Sequence, residues 1–202
     1  LDWSVISSGG KLLELASEHK RPFVKVPLGL QPRAAFGLMT KAVMHYVPSD
    51  KDGKYLEMCN QAGDYLNEVL ANQSENELLT QALNISKEIS TKTSVIYGGT
   101  PLTYLVAQRW KTQINENAKS KAFVGYMPEV HHNEILSWDA DLEGSKSSFV
   151  LIFLRDDSEN SQISKRFNLT KKLLGEKVNI LNIEPKTKDA TLIKLMELVL
   201  LG

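Results

Sequence analysis
From position 93 onward, four short apolar runs at 93–97, 122–127, 149–154 and 178–183 alternate with helical patterns at 101–117, 161–174 and 187–201. Apolar runs of this length separated by crossover helices predict a parallel sheet covered by helices on both faces, an α/β architecture. One interval breaks the rhythm. Residues 128–148 are richer in polar side chains and glycine, and predict loops with a short helix.

The stretch upstream reads as the back half of a similar unit. Trp3 to Ile6 predicts a strand feeding Ser7, Ser8, Gly9 and Gly10, after which Leu12, Leu13, Leu15 and Ala16 recur at helical spacing. Phe23 to Val26 predicts a second strand closed by Pro27, and Leu30 to Arg33 opens a helix running to about Tyr46, with Pro32 in its first turn. A polar cluster from Pro48 to Gly53 has the composition of a linker. Two more helical patterns follow, at 55–71 and 78–89, and Ser74 with Glu77 has the spelling of a capping box for the second. The architecture expected is thus duplicated, with the earlier copy truncated. The chain opens at Leu1 inside a strand and stops at Gly202 directly after an apolar helix, as a piece cut from a longer protein would.

Charge narrows the function. With 24 basic and 24 acidic residues the net charge is zero, so no electrostatic footprint of a nucleic-acid or anionic-membrane binder is present. A small, locally recognised ligand fits better. Cys59 is the single cysteine, which excludes an internal disulfide framework and a Cys-rich zinc site and suits a reducing cytoplasm. The longest apolar runs, 149–154 and 198–201, fall far short of the roughly 20 residues that cross a bilayer, and the sequence reads without a signal peptide.

In an open parallel sheet, ligands bind outside the carboxyl ends of the strands. Three segments are placed there: Ser7 to Gly10, Gly98 to Pro101 and Pro128 to His132. Gly98, Gly99 and Thr100 form a strand-to-helix turn that could aim amides at an anion, or equally a tight connection capped by Thr100. Glu116 falls about 20° from Leu105 on a helical wheel, beside a stripe of Leu102, Leu105, Val106, Trp110 and Ile114. A carboxylate at such a margin and near a helix C-terminus is desolvated and opposed by the dipole, as suits a general base. On periodicity alone, an ion pair with Arg109 or Lys119 accounts for it as well. His131 and His132 lack the HExxH spacing of a metal site and, in an extended segment, face opposite sides. One acts as acid or base, or both are solvated. Arg33 could reach an oxyanion or remain a surface arginine. Lys165, Arg166, Lys171 and Lys172 read as a solvated helix face.

SSGGKLLELA, GLQPRAA, SVIYGG, RWKTQINENAK, and PEVHHNEI followed by a tryptophan together resemble, in this order, the bifunctional phosphoglucose/phosphomannose isomerases. Those enzymes are built from two sugar isomerase (SIS) domains. The resemblance implies residues 1–48 as the C-terminal part of a first SIS domain, 49–90 as helical packing segments, and 91–202 as a second SIS domain. It implies interconversion of glucose 6-phosphate or mannose 6-phosphate with fructose 6-phosphate, with no metal or other cofactor. Glu116 would move the proton between C2 and C1, Arg33 would stabilise the enediolate, and His132, supplied by a neighbouring subunit of a homodimer, would assist ring opening. Ser8, Gly9, Gly98, Gly99 and Thr100 would contact the sugar phosphate. Position 131, a histidine here, is usually asparagine in that family. The family's phosphate loop lies upstream of position 1, and a catalytic lysine lies downstream of Gly202. A phosphosugar-sensing SIS module without catalysis, and an inactive fragment, are the rival expectations.

Overall fold
The computed structural model describes residues 2–31, 33–71, 76–188 and 190–202, and divides into two compact units, Leu1–Glu68 and Val69–Gly202. In the first unit, β1 (Val5–Ser7) and β2 (Phe23–Lys25) pair in parallel, joined by α1 (Lys11–Glu18). Gly10 caps α1 at φ 79°, a conformation that favours glycine. The following helix α2 spans Phe36–Met44, shorter than the segment expected from position 30, because residues 33–35 form turns. Helix α3 (Lys54–Ala71) carries the boundary between the units. The predicted segment 49–90 is therefore divided between them.

The second unit begins with the end of α3 and α4 (Glu77–Ile89). The N-cap of α4 is Asn76, whose Oδ1 accepts from the amides of Leu78 and Leu79, while its Nδ2 donates to Val69 O. Ser74 lies outside the described residues. Then come β3 (Thr93–Gly98), α5 (Pro101–Gln113), a π-helical turn at Ile114–Ala118, β4 (Ala122–Tyr126), α6 (Val130–Asn133), a 3-10 turn at Ile135–Asp139, α7 (Leu142–Ser148), β5 (Phe149–Leu154), α8 (Ser161–Leu174), β6 (Asn179–Ile183) and α9 (Thr191–Leu201). The four strands form a parallel sheet in the order β4-β3-β5-β6. The interval expected to hold loops and a short helix holds three short helical pieces.

Alternation along the central strands divides the core in two. Ile96, Ile152, Leu154 and Ile183 meet Val106, Ala107 and Trp110 of α5, Leu78 and Ile85 of α4, and Leu198 and Leu201 of α9. Val95, Tyr97, Leu151 and Phe153 meet Ile163, Phe167 and Leu174 of α8, with Val130 and Trp138, on the other face. Trp110 locks the first layer, donating from Nε1 to Leu198 O at 2.7 Å. Helix α9 begins at Thr191 rather than 187, since the buried Glu197 carboxylate holds the amides of Lys186 and Thr187 in the preceding loop.

Candidate active site
The chain leaves β3 for β4 on one side of it and returns to β5 on the other, so the ligand crevice of such a sheet falls between the carboxyl ends of β3 and β5. Here that crevice is closed. The amides of Gly99 and Thr100 both donate to Thr103 Oγ1 at 3.0 Å, and Thr103's own amide donates to Thr100 Oγ1 at 3.1 Å. Thr100 Oγ1 also donates to Asp156 Oδ2, across the crevice, at 3.3 Å. The other Asp156 oxygen accepts from the amide and hydroxyl of Ser158. A Cβ on Gly99 would stand 2.5 Å from Ile163 Cγ2 and 2.6 Å from Phe167 Cε2. The glycine is thus required by packing. Arg155, the nearby cation, is engaged bidentately by Glu159 and stacks on Phe167. Of the two readings of the Gly98–Thr100 turn, the capped connection is the one observed.

Glu116 is placed differently from the sequence expectation. It sits in the π-helical turn and is exposed, so the burial inferred for it is absent in this chain by itself. The reason lies with Leu105, assumed to face the core but 62% exposed. The buried stripe of α5 runs through Thr103, Val106, Ala107 and Trp110, and the side that carries Leu105 faces away. The backbone under Glu116 is nonetheless well fixed. Ile114 is buried, its carbonyl accepts from the amides of Lys119 and Ser120, and Asn115 Oδ1 accepts from Ala122 N–H at 2.9 Å. That last bond ties the turn to the first residue of β4, so Glu116 stands at the amino end of the strand. Asn115 carries no sequence signal for this bond.

His132 stands beyond the other end of β4, on α6. The segment is helical, not extended, so the two histidines are about 100° apart and their environments differ. His131 is half-buried. Arg166 Nη1 donates to its Nδ1 at 3.1 Å, and its Nε2 lies 2.6 Å from Thr170 Oγ1. Burial first, and then the Arg166 guanidinium, hold its pKa below the ordinary 6.5. Arg166, expected on a solvated face, thus has a defined contact. Three residues on, Glu134 accepts from Tyr97 Oη at 2.9 Å, and Trp138 Nε1 donates to the same hydroxyl at 3.3 Å. Burial, helped by the Glu134 charge, pushes the Tyr97 phenol far up, so it remains a neutral donor. His132 takes no part in these bonds and is exposed. Tyr97, Asn115, Glu134 and Asp156 were not singled out from sequence; only Thr103, three residues after Thr100, carries a readable capping signal.

β4 separates Glu116 from His132. Five strand residues span roughly 16 Å, so the two groups do not meet within one copy of the chain. Arg33, Ser8 and Gly9 belong to the first unit. Arg33 is exposed in the turn before α2, Gly9 is exposed, and Ser8 is half-buried after β1. Ser7 Oγ engages both the amide and the carbonyl of Gly9. Among the described residues no cluster of three metal-ligating side chains occurs, and no helix is long and apolar enough to cross a membrane.

Residues 79–202 match the family described as bacterial phospho-glucose isomerase C-terminal SIS domain. The chain is 36% identical over 173 residues to the bifunctional phosphoglucose/phosphomannose isomerase of Aquifex aeolicus, covering 85% of this chain and 49% of that protein. It is 34% identical over 172 residues to the protein of the same name from Thermoplasma acidophilum, covering 84% and 49%. The chain thus spans about half the length of these curated relatives. Among solved structures, a hypothetical protein of Thermus thermophilus superposes with a TM-score of 0.66 at 14% identity, over 98% of this chain and 55% of that one. The C-terminal domain of glucosamine-fructose-6-phosphate aminotransferase from Francisella tularensis gives 0.56 at 15%, over 100% and 70%. At such identities the structures show the fold alone; the SIS assignment comes from the family match. With the family match covering most of the chain and the relatives more than 30% identical, the chain belongs to the family of the bacterial phosphoglucose isomerase C-terminal SIS domain.

Proposed function
We propose that this chain is part of a cytoplasmic sugar-phosphate isomerase that interconverts glucose 6-phosphate and mannose 6-phosphate with fructose 6-phosphate, working as a homodimer with shared sites. The observation that carries this reading is the placement of Glu116 and His132. Both are exposed on turns whose neighbouring residues are fastened, and a whole strand lies between them. A base and an acid so separated can serve one reaction when two copies complete each other's sites. Exposed apolar side chains on the same unit, including Leu105, Phe123 and Leu136, supply surface that such an assembly would cover.

In this mechanism no metal or other cofactor is needed. Glu116 removes the C2 proton of the open-chain aldose, and the electron pair moves to the carbonyl as the enediolate forms. Arg33 stabilises that charge. Returning the proton from Glu116 to C1, as the O2 hydroxyl proton passes to O1 and C2–O2 becomes the carbonyl, gives the ketose. His132 of the second copy moves the proton that opens the ring. Glucose and mannose phosphates differ only at C2, so the same enediol arises from both. Ser8 and Gly9 contact the sugar phosphate from their turn. Gly98, Gly99 and Thr100 border the sugar phosphate as a capped turn, since the amides of Gly99 and Thr100 are spent on Thr103. In the domain terms of this family, 1–48 is the end of a first SIS domain, and 91–202 is the second.

A coupled assay of fructose 6-phosphate formation from each aldose, on the protein and its Glu116→Gln variant, tests this. Turnover of both sugars that is lost in the variant, with sugar phosphate still bound, supports the isomerase. Binding without turnover, unchanged by the substitution, would instead identify a phosphosugar sensor.

A further inference from the structure
His131 and His132 are neighbours in sequence, yet only His131 has its ring tied, and the direction of its hydrogen bonds can be worked out. Arginine only donates. The 3.1 Å contact from Arg166 Nη1 therefore makes His131 Nδ1 the acceptor, which puts the ring proton on Nε2. Nε2–H then donates to Thr170 Oγ1 at 2.6 Å, and the Thr170 hydroxyl donates to Arg166 O at 2.8 Å. The circuit starts and ends on α8, with the imidazole as its bridge to α6. Thr170 is fully buried, so its hydroxyl has no alternative in water. One turn further, Glu134 holds the phenol of Tyr97 on β3. The single turn of α6 is thus gripped at both His131 and Glu134, and His132 projects from between the two grips.

A helix of four residues has no stability of its own. Its conformation, and with it the direction of His132, comes from its attachments, the buried Val130 at its start and these side-chain bonds. We propose that His131 is a positioning residue, which through Arg166 and Thr170 holds α6 in the one orientation that presents His132 to the site. This rests on the isomerase reading for what His132 does once presented. The depressed basicity of His131 agrees with the circuit, because a second ring proton would face the guanidinium.

Two measurements test this, and the first does not depend on turnover. Imidazole nitrogen–proton correlation spectra of the full chain are expected to show His131 as the Nε2–H tautomer, remaining neutral below its ordinary 6.5. Replacing Thr170 by Val, close in shape, is expected to move the His132 resonances and speed its amide exchange about tenfold or more. An Nδ1–H tautomer at His131, or unchanged His132 signals in Thr170→Val, would overturn the proposal. The second measurement is a cycle in the isomerase assay. His131→Ala is expected to lower kcat about 10- to 100-fold in the native background, with little change in KM, and to have no further effect on a His132→Ala protein. Losses that multiply in the two backgrounds would mean a general structural role and contradict positioning. If the unsubstituted protein neither binds nor turns over a sugar phosphate, the isomerase reading fails, while the spectra still decide whether His131 fixes α6.

Discussion
The crevice between β3 and β5 and the two turns flanking β4 make opposite use of polar residues. In the crevice, Thr100, Thr103, Asp156 and Ser158 satisfy one another, and a glycine is filled against by Ile163 and Phe167. At the flanks of β4, Asn115, His131 and Glu134 spend their polar groups on fastening the backbone, and Glu116 and His132 are left exposed. The crevice has the look of a phosphate site in sequence and the contents of a structural cap. The flanks carry the residues that the motifs pick out, and there Glu116 and His132 are exposed. Glycine-rich turns bind anions only when their amides have no internal acceptor, and here Thr103 is that acceptor.

Substitutions on the two sides should therefore fail in different ways. The largest effect belongs to Glu116→Gln, which removes a general base and is expected to lower kcat by about 10²- to 10⁴-fold while leaving the denaturant midpoint unchanged. In the crevice the pattern reverses. Gly98→Ala would set a Cβ 2.5 Å from Tyr104 N and 2.6 Å from Thr103 C, backbone atoms that cannot swing aside. It should cost about 3 kcal/mol in urea unfolding, the upper range for overpacking. Thr103→Val strands two buried amides and should cost about 1–3 kcal/mol, again read from unfolding. A crevice variant that lost turnover at full stability would break the contrast.

The gentlest probe is pH. The folded pKa of His131 lies below 6.5, so the unfolded chain binds the extra proton more readily. The stability contributed by neutral His131 is fully present above that ordinary value and is lost as pH falls below it, toward the folded pKa. Unfolding measured on either side of 6.5 should show a decline that is smaller in Arg166→Gln, where one of the two causes of the lowered pKa is gone.

What could be seen in the sequence follows from the range of the forces involved. The alternation of apolar runs disclosed the parallel sheet, because strand burial on both faces leaves a local signature. The strand expected at 149–154 is observed at those limits. Local patterning could not show that Leu105 faces outward, since the wheel of α5 holds apolar residues on more than one side and only the packing of Trp110 against α9 selects one. The start of α9 was misplaced for a like reason. Residues 187–190 have nothing against a helix locally, and Glu197, ten residues on, holds the loop. At the candidate site, Glu116 and His132 were singled out from the sequence, and the strand at 122–127 between them was expected, but the exposure of Glu116 appeared only in three dimensions. So did the division of labour between the histidines, which depends on Arg166 and Thr170, 35 and 39 residues away in the chain from His131.

Complementation between two inactive variants tests the shared site most directly. Glu116→Gln and His132→Ala proteins, each left with only residual activity alone, are unfolded together and refolded as a mixture, then assayed for fructose 6-phosphate formation. If the base and the ring-opening acid come from different copies, half of a random mixture is heterodimer with one intact site of two, and about a quarter of native activity returns. No recovery from a mixture shown to contain heterodimers would contradict the account, since Glu116 and His132 would then not be completing each other across copies.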